Sequence, residues 1–370
     1  MPVQLPSYPI FNLLTYLLLC VIYVWPIYRK KNQLPKQHLS DGLHSTFFFF
    51  SVSLFCVFGF TNGDFFNYYP VFRKTVIDHV SGHLEEPYVW IINHCTQDYL
   101  LWRFIVWGGA TMFTMLSFKR MNLKTIPAFA SITLYYITTL YIMRGNLGTG
   151  MMLFGLSLIL YPIKRAKYIG YFIGIAIIIA SYSFHKSMLL SLALLIPAMF
   201  KIPKKLITLS FFLFPFAVGL MKLVLVYLGE NGLEGADETI SNSAMRYSNV
   251  AMFETNALGV LRNIINFVPI CLILLLVYRS NFIRQFPYQI RLFFNYWYIW
   301  IYIACVCSFQ EIGGWYFSRF MYMSQLPLAV FMAYIFQHSL NNRSLRLIIA
   351  TSFISTLYTL AYAFYQLEIK

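Results

Sequence analysis

The sequence predicts an all-α polytopic membrane protein with about twelve transmembrane helices and two long outer loops. Apolar runs recur along it at a length near that needed for a helix to cross a ~30 Å hydrocarbon core. Only 11% of its residues are charged and 59% are hydrophobic, with a mean hydropathy of +0.63. Soluble domains carry about 25% charged residues, so lipid is the solvent for most of this chain. Its charges, finally, are sorted by sign between alternate loops. The short alternating segments of a membrane barrel are absent. Residues 1–370 therefore read as one integral membrane domain.

Taken in order, the expected spans are 8–27, 44–61, 98–117, 126–143, 147–163, 168–184, 187–200, 206–228, 260–278, 292–309, 319–337 and 347–365. The first begins without a basic n-region or a small-residue cleavage site, so it is expected to be retained. Span 187–200 is short and holds Pro197. Every second loop is basic. Arg29, Lys30, Lys31 and Lys36 follow the first span, and Lys119, Arg120 and Lys124 follow the third. The same alternation continues to Arg343 and Arg346, and Asp41 is the one acid among eighteen Lys and Arg. By the positive-inside rule these loops are cytoplasmic and both termini lie outside. The net charge of +15 is thus a topology signal, and no nucleic-acid partner is expected. The six cysteines have neither disulfide nor metal-ligand spacing, and no metal or other cofactor is expected. Gly170-xxx-Gly174 reads as a close-packing notch between helices.

The two outer loops are 62–97 and 229–259. The first concentrates Asp64, Arg73, Glu85 and Glu86 among Tyr68, Tyr69, Tyr88 and Trp90, more than a simple connection requires. Glu86-Pro87-Tyr88 has the acid and proline of a helix start. The second is rich in Gly and Asn, and acidic at its start; loops of this length are usually functional lids or disordered. Topology does not account for the outer cations Arg73, Lys74, Arg103, Arg144, Lys186, Lys222, Arg246, Arg262 and Arg319. Five of them, Arg103, Arg144, Lys222, Arg262 and Arg319, sit within or at the mouths of spans, where a charge costs at least ~2.5–3.5 kcal/mol. Snorkelling to headgroups accounts for one such residue more easily than for five. Together they point to an outward cavity of positive potential, suited to a phosphate or pyrophosphate, which Arg can hold with two parallel hydrogen bonds. His185 lies at an outer mouth beside Lys186, where an imidazole can serve as general base or bind a sugar hydroxyl. Tyr68, Tyr69, Trp315, Tyr316 and Tyr322 offer faces on which sugar rings can stack, or form part of an interfacial belt.

These motifs, in this order, resemble those of the EpsG-like branch of the Wzy polysaccharide polymerases. Gly63-Asp64-Phe65-x-x-Tyr68 resembles the family's Gly/Asp/Tyr opening, and Glu86-Pro87-Tyr88 its Glu-Pro element. Arg144 resembles its span-end arginine, although Gly145 stands where glutamine is common. Phe184-His185-Lys186-Ser187 is similar to its F-H-x-S element, and Arg319 after Gly-Gly-Trp-Tyr-Phe-Ser to its late arginine–aromatic segment.

The resemblance implies a glycosyltransferase of the bacterial cytoplasmic (inner) membrane with a GT-C-like helical bundle. Such an enzyme joins undecaprenyl-pyrophosphate-linked oligosaccharide repeat units on the outer leaflet, without a metal, to build O-antigen, capsule or exopolysaccharide. Membrane lipids, a chain-length regulator and a flippase would be its partners. The expected catalytic residues are His185, Asp64, Glu86, Arg144 and Arg319; Arg73, Arg262, Tyr68, Tyr88, Lys186 and Tyr316 are expected to bind substrate. The rival readings are a GT-C glycosyltransferase that uses a polyprenyl-phosphate sugar donor, and a lipid-linked oligosaccharide flippase or transporter. A flippase or transporter would more characteristically carry an inverted repeat, which the sequence lacks.

Overall fold

Among the described residues, length and apolar composition qualify four helices to cross a membrane: Pro9–Tyr28 (α1), Tyr99–Arg120, Lys167–Phe184 and the Asn342–Ala361 part of the last helix. The structure is a computed structural model that describes residues 8–29, 41–58, 63–78, 84–140, 145–162, 166–185, 188–220, 223, 257–279, 285–308, 313–338 and 341–368. Among the described residues there is no strand.

After α1 come Asp41–Val57 (α2), Gly63–Asp78 (α3), Glu86–His94 (α4) and Tyr99–Arg120 (α5). Next is α6, made of Thr125–Ser131, a π-helical turn Ile132–Tyr136, and Ile137–Leu140. Asn146–Leu160 (α7), Lys167–Phe184 (α8), Met188–Met199 (α9) and Lys204–Phe212 (α10) follow. The C-terminal part holds Ala257–Arg279 (α11), Tyr288–Ser308 (α12), Gly313–His338 (α13) and Asn342–Glu368 (α14). Helices thus lie over the apolar runs read from the sequence. α2, α7 and α9 are apolar but shorter than the four long spans.

Local chemistry explains several ends and bends. Asp98 caps α5, its carboxylate accepting the Leu101 N–H at 2.7 Å. α1 widens into a π turn at Cys20–Val24, immediately before Pro26, which has no N–H to offer the preceding turn. This π turn touches the one in α6. Between them Phe48 stacks on Phe129 with 4.1 Å between centroids, and Tyr23 meets both rings edge-on. α7 and α8 cross where each is smallest. A Cβ on Gly155 would lie 2.6 Å from the Gly174 carbonyl oxygen, and one on Gly174 would lie 2.8 Å from that of Gly155. Gly170 meets nothing closer than 3.7 Å. The expected notch is therefore Gly174 with a partner on the neighbouring helix, and Gly170 takes little part.

The bundle has two chemically distinct ends. At one, Arg120 donates to the Tyr161 carbonyl at 2.9 Å and Arg346 to that of Tyr28 at 3.2 Å. There too the Thr125 hydroxyl donates to Asp41 at 3.0 Å, and the Lys124 N–H to the Gln337 side chain at 2.8 Å. These contacts gather the loops expected to be basic. The opposite end carries α4, the start of α5, the start of α7 and the junction of α8 with α9.

Candidate active site

His185 ends α8. With φ −168 and ψ 126 it leaves the helix, while its N–H still reaches the Tyr182 carbonyl at 3.2 Å. Its own carbonyl accepts the Met188 N–H at 2.9 Å, so the residue sits between the end of one helix and the start of the next. The ring is half-buried. It packs over Gly145, the residue after Arg144: a Cβ there would lie 3.3 Å from His185 Cγ and 3.5 Å from Cδ2. Thus two elements forty residues apart in the chain meet, and the departure from glutamine acquires a steric meaning. The imidazole occupies the space that a side chain would fill.

Asn146 fixes the flank of this corner. It is buried, its Nδ2 donates to the Thr139 carbonyl at 2.7 Å, and its Oδ1 accepts the Tyr136 hydroxyl at 3.3 Å. The Gly145 carbonyl accepts both the N–H and the hydroxyl of Thr149 at 2.9 Å. A Cβ on Gly148 would come within 2.9 Å of the Ser181 carbonyl oxygen. The start of α7 is therefore pressed against the end of α8 by small residues and side-chain hydrogen bonds. In the sequence Asn146 is marked only as an amide inside an apolar run.

α4 lies against the same junction. Its second residue is Pro87, and Glu86 is exposed. Tyr88 is fully buried, its ring meeting Phe184 edge-on at 5.6 Å and Trp102 at 6.2 Å. Trp102 stacks on Tyr99 at 5.7 Å, and Tyr99 meets Tyr69 at 5.2 Å. The rings form a continuous ladder from the neighbour of His185 to α3. There Arg73 is exposed, its guanidinium 6.0 Å from the Tyr69 ring centre. Tyr68 is half-buried. A cavity of about 340 Å³ opens here, lined by Tyr69, Phe72, Arg73, Gln97, Asp98 and Tyr99 among others. In this groove Arg73, Gln97 and Asp98 are exposed beside the half-buried Tyr69, while Phe72 and Tyr99 are buried behind them.

Arg103 differs from Arg73 and Lys74, which are exposed. It is 0% exposed, donates from Nε and Nη2 to the Cys56 carbonyl at 3.3 and 2.7 Å, and lies 4.3 Å from the Trp107 ring centre. It satisfies the end of α2 and does not line an open chamber.

The remaining expected residues are located only in part. Arg144 and Lys186 lie outside the described residues. Asp64 is on α3, Arg262 on α11, and Tyr316 and Arg319 on α13; their side chains also lie outside the description. Helix register still orders two of these backbones. Lys124 faces Gln337 and Ser131 donates to the Ala329 carbonyl, so α6 and α13 run antiparallel. Continuing at equal rise, Leu140 comes level with about position 320, beside Arg319. α14 runs parallel to α6, Thr356 donating to the Leu134 carbonyl, while Ser355 and Thr359 both donate to Asn266. That brings Arg262, one turn before Asn266, to about the same level. Backbones 262 and 319 thus lie at about the level of Leu140, toward the end of the bundle that holds His185.

No curated protein and no solved structure matches this chain. Residues 42–369, which include every motif described above, match the EpsG family, and the chain belongs to that family of Wzy-like polysaccharide polymerases.

Proposed function

We propose that this protein joins undecaprenyl-pyrophosphate-linked oligosaccharide repeat units by glycosyl transfer at the outer leaflet of a bacterial inner membrane. About twelve spans in a GT-C-like arrangement would hold the site, with both termini outside. The observation that carries this reading is the meeting of His185 with Gly145, directly after Arg144, at the end of the bundle opposite the basic loops.

The growing chain on its lipid pyrophosphate is the donor, and a single lipid-linked repeat is the acceptor. The acceptor hydroxyl oxygen attacks the anomeric carbon, a new C–O bond forms, and the bond to the pyrophosphate oxygen breaks with its electron pair. Charge then develops on the departing pyrophosphate. Arg144 and Arg319 stabilise it where it appears, in place of a metal ion, with Arg262 and Arg73 as further cations. His185 accepts the proton of the acceptor hydroxyl, with Asp64 or Glu86 as the alternative base. Tyr68, Tyr316 and Lys186 complete the sugar-binding surface; Tyr88, expected to bind substrate, is fully buried and instead holds α4 against Phe184 behind it. A flippase supplies the repeat units, and a chain-length regulator acts on the product.

Purified full-length protein, given a defined lipid-linked repeat and read on a ladder gel, tests this. The wild type should build a ladder. Arg144→Ala should lower turnover by about 10²–10³-fold, and His185→Ala by about 10²–10⁴-fold, with both variants still inserted in the membrane. A full ladder from Arg144→Ala would remove that residue from the chemistry. Consumption of a single-sugar polyprenyl phosphate instead of the repeat would overturn the polymerase reading.

A further inference from the structure

The π turn Ile132–Tyr136 takes up one residue more than an α turn, so the rest of α6 is rotated by about 100° from the path of an uninterrupted helix. Two neighbouring tyrosines in this turn face different helices. The Tyr135 hydroxyl accepts that of Ser352 on α14 at 3.0 Å, and the Leu134 carbonyl accepts the Thr356 hydroxyl of the same helix at 3.1 Å. Tyr136, fully buried, instead donates its hydroxyl to Asn146 Oδ1 at the start of α7, at 3.3 Å. Three residues further on, the Thr139 carbonyl accepts Asn146 Nδ2 at 2.7 Å. Carbonyls in the last turn of a helix have no partner within it. Asn146 therefore closes the end of α6 while it opens α7.

Both ends of the Asn146 amide are thus tied to α6, and the amide is buried. The residue before it is Gly145, which lies under the His185 ring and whose carbonyl is held from within α7 by Thr149. An apolar side chain at 146 would supply packing alone. A buried amide matched to a hydroxyl donor and a carbonyl acceptor on one neighbouring helix also fixes position, because hydrogen bonds weaken steeply once distance and angle depart from their optimum. The widened turn is what aims Tyr136 at this amide.

We propose that Tyr136, acting through Asn146, is a positioning residue for glycosyl transfer: its hydroxyl holds the start of α7 where Gly145 backs the His185 imidazole. Tyr136 acts through the backbone of α7 and not on the substrate. The inference rests on the reading of His185 as the group that accepts the proton of the acceptor hydroxyl.

Ladder synthesis by the purified full-length protein on a defined lipid-linked repeat, followed as initial rate against substrate concentration, provides the test. Tyr136→Phe removes one oxygen atom and should lower kcat about tenfold, with KM within about twofold of wild type. Asn146→Ala removes both ties from the α7 side and should do the same, which provides a second route if one variant folds poorly. Tyr135→Phe is the matched control: it deletes a buried hydroxyl from the same turn, but one that faces α14, and should leave kcat within about twofold of wild type. In a His185→Ala background, Tyr136→Phe should change the residual rate by less than about twofold, since the group it positions is gone. An equal loss with and without His185, or a loss from Tyr135→Phe as large as that from Tyr136→Phe, would overturn the positioning role and leave the polymerase reading intact. An undiminished rate from His185→Ala alone would instead remove His185 from the chemistry, and this assignment with it.

Discussion

At Gly145 the absence of one carbon atom sets the position of the His185 ring. Gly145→Ala would place a methyl group 3.3 Å from His185 Cγ, tighter than ordinary van der Waals contact, and the ring would have to move by a few tenths of an ångström. Misplacement of a reacting group by 1 Å can cost about 10²-fold, so a smaller shift should slow ladder synthesis about tenfold while leaving thermal stability near wild type. Arg103 should give the reverse pattern. Arg103→Leu removes both donors to the Cys56 carbonyl inside the bundle and should destabilise the protein by about 2–4 kcal/mol, read as a lower melting temperature in detergent. Both cations and glycines were visible in the sequence as residue types. Their roles were not, because Arg103 and Arg144 look alike until one is found against a helix end. The place of Gly145 depends on a ring forty positions away.

Helices were readable because hydropathy runs mark them directly, and the glycines of α7 and α8 were readable as small residues. Which glycine mattered was not, since a close crossing is a property of two helices and the sequence lists one at a time. Gly174→Ala or Gly155→Ala would drive a methyl group into a carbonyl oxygen and should cost about 1–3 kcal/mol. Gly170→Ala, with its nearest neighbour at 3.7 Å, should stay within about 0.5 kcal/mol of wild type. Equal melting temperatures for Gly170→Ala and Gly174→Ala would contradict this crossing. The π turns of α1 and α6 left no trace in the hydropathy pattern, because a single widened turn does not change which residues are apolar.

For the molecule as a whole, the separation of basic loops from the His185 end was legible from charge alternation, since the bilayer imposes it along the entire chain. The motifs gave the members of the candidate site. Their mutual geometry came only from contacts such as those of His185 with Gly145 and of Tyr88 with Phe184. Orientation can be read chemically. Cys95 is exposed near the His185 end, so in an otherwise cysteine-free protein it should react with a membrane-impermeant maleimide in intact spheroplasts. Thr125→Cys, at the basic end, should react only after permeabilisation. The opposite pattern would invert the proposed topology.

The aromatic rungs between Tyr69 and Phe184 have an implication for how damage spreads. Trp102 touches both Tyr88 and Tyr99, so Trp102→Leu would slacken the Arg73 shelf and the Phe184 abutment together. The loss in synthesis from Trp102→Leu combined with Arg73→Ala should then be smaller than the two single losses added, as for neighbours in one mechanical unit.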